Sequence, residues 1–118
     1  MTEARRSGPS DGERFPERDW RLFRTVHAKA LERYCARVLQ ECRSTIEDAT
    51  LTAHERYLRL YRSLGERDKD VAATFNDVRR SRALLALVMM IRLDVITGEE
   101  LEQFSQGVRE RALELANL

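Results

Sequence analysis

Apolar residues recur along most of this chain at the spacing of a helix face. The first stripe runs Trp20, Phe23, His27, Leu31, Tyr34 with Cys35, Val38, Cys42 and Ile46, and Val26 and Leu39 widen it. A period near 3.6 predicts one long amphipathic helix. Pro16, Glu17 and Asp19 suit its first turn, by fixed φ and by the helix dipole. Its end is expected around Glu47 to Thr50.

Thr52-Ala53-His54-Glu55 has the capping-box pattern and predicts a second helix start. Tyr57, Leu58, Tyr61 and Leu64 form its expected inward stripe, resumed in phase at Val71, Ala72, Phe75 and Val78 beyond a polar interval at Gly65 to Asp70. The kept phase favours a single helix over a break at Gly65. Ala83 to Ile91 is apolar all the way round, the signature of a helix buried by other helices. That central helix is expected over about 78–96, with Asn76, Asp77 or Ser81 as its cap. Thr97-Gly98-Glu99-Glu100 is a second capping box, after which Leu101, Phe104, Val108, Ala112 and Leu115 mark a last helix that Ser105 can split.

The pattern therefore predicts an all-α fold, a small bundle of about four helices with a central apolar helix and a long N-terminal helix. Residues 17–118 are expected to form a single helical domain. Residues 1–16 read as a disordered tail, being polar and of mixed charge, with Phe15 the one large apolar residue able to dock on the body. The 118 residues suit one core. Short connections place neighbouring helices antiparallel. The first helix then outruns the others, and its overhanging apolar stripe asks for a partner. A homodimer is expected on that ground, with Trp20, Phe23, His27, Leu31 and Tyr34 at or near the interface.

Composition changes this picture little. Charged residues are 35% of the chain, yet the net charge is only +1, which points to no acidic partner by bulk charge. Lys29 and Lys69 are the only lysines, so arginine carries the positive charge. Arg56, Arg59 and Arg62 form one basic group and Arg79, Arg80 and Arg82 another, an alternative anion or nucleic-acid site. Acidic neighbours of these residues favour a solvated face instead, and no helix-turn-helix or phosphate loop supports nucleic acid.

Chemistry-bearing residues are few. Cys35 and Cys42 fall about 10 Å apart on one helix, too far to bridge within it. Together with the polar residues 1–16, which contain no secretory apolar region, they suggest a reducing cytoplasm. The spacings of His27, Cys35, Cys42 and His54 do not match a zinc site, and no Glu-x-x-His pair suggests a di-iron bundle. No metal or other cofactor is expected. His27, with Asp68 as its candidate partner, supplies a second alternative, an enzyme or ligand-binding bundle, but a packed histidine is the simpler expectation. The favoured reading is a small cytoplasmic helical protein-interaction module, dimeric or adaptor, without catalysis or a membrane span.

Overall fold

The computed structural model describes residues 15–118, so residues 1–14 of the tail expected over 1–16 lie outside them. Among the described residues there are five α-helices, one 3-10 turn and no strand. They are α1 (Glu17–Ile46), α2 (Ala53–Thr74), the 3-10 turn Arg80–Arg82, α3 (Ala83–Arg92), α4 (Gly98–Glu102) and α5 (Gln106–Ala116). The fold is an all-α bundle led by its longest helix, the 30-residue α1.

The two predicted capping boxes are both formed. Thr52 accepts from Glu55 N at 3.1 Å while Glu55 accepts from Thr52 N at 2.8 Å. Thr97 and Glu100 repeat the exchange at 3.0 Å each way. Each pair satisfies two backbone N–H groups that the first turn leaves without partners. The second helix runs unbroken through Gly65, as its kept phase implies.

One core gathers Phe23, Val26, Ala30 and Tyr34 of α1, Phe75, the buried face of α3, Val95, Phe104 and Ala112. Phe15 closes it from the N-terminal side, edge-on to Phe23 at 5.7 Å and Phe104 at 6.1 Å. Phe15 docks on the body, as its place in the sequence allows, and the packed chain begins ahead of residue 17.

The central helix is shorter than the expected 78–96. Arg79 is extended, and Asp77 holds Arg79 through paired bonds of 2.8 and 2.7 Å, so helix begins only after the 3-10 turn. Its other end is set by Asp94 in the left-handed region at φ 58. Asp94 N donates to Ile91 O and Val95 N to Met90 O, both at 3.1 Å, the Schellman closure of a helix C-terminus. Nor is α3 buried all round: Leu87 and Met90 are fully enclosed, but Leu85 is 50% exposed. Ten residues between small neighbours leave one side uncovered.

The molecule is elongated, 67 × 25 × 23 Å. The shorter helices α3–α5 pack around the N-terminal half of α1. Beyond Tyr34 no residue of α1 is buried, and before Thr74 no residue of α2 is. The far part of α1 and the near part of α2 thus form a two-helix hairpin projecting from the core. The overhang expected of α1 is real in length, but α2 accompanies it.

Candidate functional site: an apolar face on the projecting hairpin

Three contacts set the register of the hairpin. Tyr34 donates to Asp70 at 2.6 Å, Arg67 to Glu41 at 3.0 Å, and Arg56 to the Ile46 carbonyl at 2.7 Å. Burial and the bond to Asp70 push the Tyr34 phenol up to about 12. In this antiparallel register Leu39 lies beside Leu64 and Cys35 beside Asp68, across a groove of about 200 Å³.

One face of the hairpin follows from that register. On α1, Cys35, Leu39, Cys42 and Ile46 succeed one another at i, i+4, i+7 and i+11, and on α2 Tyr57, Tyr61, Leu64 and Asp68 do the same. Residues so spaced share one side of a helix. The register turns both rows to the same side of the pair. Leu39 is 68% exposed, Ile46 53%, Tyr57 64%, Tyr61 71% and Leu64 43%. Exposed apolar side chains scattered singly are ordinary, but five on one continuous face are not. The opposite face carries Gln40, Ser44, Arg59 and Glu66.

Most of the expected interface lies elsewhere. Phe23, His27 and Tyr34 are buried inside this one chain, and Trp20 and Leu31 pack against the same core. Trp20 stacks on Phe23 at 5.8 Å and Arg24 covers its ring. The first part of the stripe, through Tyr34, is spent on α2–α5, and only its continuation from Cys35 to Ile46 is left with surface for a partner. Conversely, Tyr57 and Tyr61, expected inward, face out. Along the arm their helix has α1 as its neighbour, on one side.

His27 is enclosed between the rings of Phe23 and Phe75, each at 5.2 Å, and Nε2 lies 3.4 Å from the Thr74 carbonyl. Burial lowers its pKa below the usual histidine value, against the opposing pull of that carbonyl. Its hydrogen-bond partner is backbone rather than a carboxylate, and Asp68 stands about two turns away along α2. This arrangement positions a core histidine and holds no substrate-facing base.

The arginines do not converge on an anion. Arg56 and Arg79 are on opposite ends of α2, on the order of 30 Å apart along the chain's path. Arg79 and Arg82 pair with Asp77, and Arg80 with Glu17 and the Phe15 carbonyl. Arg59 and Arg62 make no ion pair among the described residues. Many arginines instead serve helix ends. Arg37 donates to the carbonyls of Leu93 and Asp94 at 2.6 and 2.7 Å, Arg33 to Val95 O, and Arg92 to those of Leu115 and Ala116. Arg37 reaches the Leu93 carbonyl that closes α3 and Arg92 the last carbonyls of α5, ends where the dipole also favours a cation, while Arg33 and the second prong of Arg37 hold the turn that follows α3. A guanidinium does this with two prongs and an ammonium cannot. Sequence reasoning missed this use because it depends on which helix end each arginine reaches.

Among the described residues no group of His, Cys, Asp and Glu could hold a metal ion, and no helix is long and apolar enough to cross a membrane. Cys35 and Cys42 are free and half-buried on the apolar face. No family model, curated protein or solved structure matches the chain.

Proposed function

We propose that this chain is a protein-interaction module of the cytoplasm that acts without catalysis, and that its binding surface is the apolar face of the hairpin. The observation carrying this reading is the continuous exposure of Leu39, Ile46, Tyr57, Tyr61 and Leu64 on a projecting arm. Aromatic and aliphatic side chains of this kind anchor protein contacts. Two free thiols beside them suit a reducing compartment. His27 is enclosed and Glu100 is committed to Arg33, so neither faces a substrate.

A photo-crosslinking phenylalanine in place of Tyr61 tests the reading in living cells. Protein adducts are expected at Tyr61 and not when the same probe replaces Arg59 on the polar side. An absence of protein adducts at Tyr61, or equal labelling at both positions, removes the proposal.

A further inference from the structure

We infer that the occupant of this face is a second copy of the chain, and that two hairpins stack antiparallel as a four-helix bundle with α1 against α1 and α2 against α2. The inference rests on the proposed function and specifies its partner. Three observations carry it.

The first is geometric. Two helices alone form a single layer with no inside, and accordingly neither helix buries a residue along the arm. A second pair laid on the apolar face supplies the missing layer, the arrangement of a four-helix bundle. The second is area. The five exposed apolar side chains leave about 600 Å² per chain, so closure on a copy removes on the order of 1,200 Å², the lower bound for a specific interface. Residues 1–14 contain no large apolar residue except Met1, so that segment has no surface to cover the face in its place.

The third is polar complementarity. Asp68 is the one acidic residue in the two rows, at one end of the α2 row, and Tyr57 is at the other. A two-fold axis across the middle of the face sets Asp68 opposite Tyr57 of the second copy, whose phenol can donate to the carboxylate. Stacking with both arms pointing the same way places Asp68 opposite Cys35 instead, which leaves a carboxylate against a poor donor. A closed two-fold assembly also repeats the Asp68–Tyr57 contact twice.

The native cysteines report on this arrangement. With axes about 8–10 Å apart, Cys42 and its copy fall near the two-fold, within reach of a short bismaleimide. Cys35 and its copy lie about 16 Å apart along the axis. The test combines light scattering of the purified 13.8 kDa chain, up to several hundred micromolar, with bismaleimide crosslinking of the wild type, Cys35→Ser and Cys42→Ser. A mass of twice the chain is expected, with crosslinks kept in Cys35→Ser and lost in Cys42→Ser. The double variant Leu39→Glu/Tyr61→Glu should be monomeric with unchanged helicity, since both positions are exposed in the single chain. A dimer whose Cys42→Ser form still crosslinks through Cys35 overturns the antiparallel arrangement. A wild-type monomer at the highest concentration overturns the second copy as occupant. In that case adducts at the Tyr61 probe to another protein leave the proposed function standing, and their absence removes both.

Discussion

His27 and Glu100 are two buried groups through which this chain responds to acid, and they respond in different ranges. Burial lowers the His27 pKa, so the unfolded chain takes up its proton first on acidification. The stability linked to neutral His27 is present above about pH 6.5 and is lost as pH falls through the lower folded value. Glu100 is 9% exposed, receives both prongs of Arg33 at 2.7 and 2.8 Å, and has its pKa lowered to about 2, chiefly by that guanidinium. Its contribution is complete above about pH 4.5 and disappears between there and about pH 2. Arg33 is half exposed, so solvent screening reduces the value of the pair to about 2 kcal/mol. Urea midpoints at fixed protein concentration should therefore fall in two stages. Glu100→Gln should lower stability by about 2 kcal/mol at pH 7 and flatten the second stage alone. A Glu100→Gln midpoint that still falls between pH 4.5 and 2 with the wild-type slope would show that other carboxylates carry the transition.

Two positions, one inside α2 and one in the turn after α3, hold residues that their backbone does not favour, and they make matching predictions at the level of the element. Gly65 lies inside α2 with nothing within 4 Å of where a Cβ would stand. Alanine there should add about 1 kcal/mol by propensity and by limiting the unfolded chain. Asp94 adopts the left-handed turn after α3, where glycine carries no steric cost, so Asp94→Gly should also stabilise by up to about 1 kcal/mol. Thermal melts check both; a loss on Gly65→Ala would mean that α2 does not run straight through that point. The same elements show what the chain's pattern reveals and what it conceals. Helix starts were legible at Thr52 and Thr97 because a capping box is a local bond pattern. The end of α3 was not, because Asp94 is an ordinary polar residue until its φ is known. Ser105 does precede α5, but it gives its hydroxyl and its N–H to the buried carboxylate of Asp19 at 2.7 and 2.8 Å rather than capping the helix. Periodicity identified the stripes on α1 and α2 without saying which lies under a neighbour. That is why Phe23, His27 and Tyr34 pointed to a partner but form core, while Tyr57 and Tyr61 pointed to core but form surface.

Across the whole molecule, stability is distributed unevenly along its 67 Å length. Every large buried side chain belongs to the end built from Phe15, α1 as far as Tyr34, the end of α2 at Phe75, and α3–α5. The arm is held by Tyr34–Asp70, Glu41–Arg67, Arg56 and the Thr52 capping box, with only half-buried side chains between its helices. Segments with few buried contacts open at lower free energy than the core. A second copy laid on the arm changes this, because opening must then follow dissociation and acquires a dependence on concentration. Hydrogen exchange should show it. Amides of residues 38–46 and 53–64 should exchange about tenfold more slowly across a hundredfold rise in protein concentration, as mass action on a dimer requires. In Leu39→Glu/Tyr61→Glu the same amides should exchange fast at every concentration, while those of α3 keep the protection of the core. Exchange of the arm that ignores concentration in the wild type would mean that the single chain already holds its arm closed, and the apolar face would then lose its claim to a second copy.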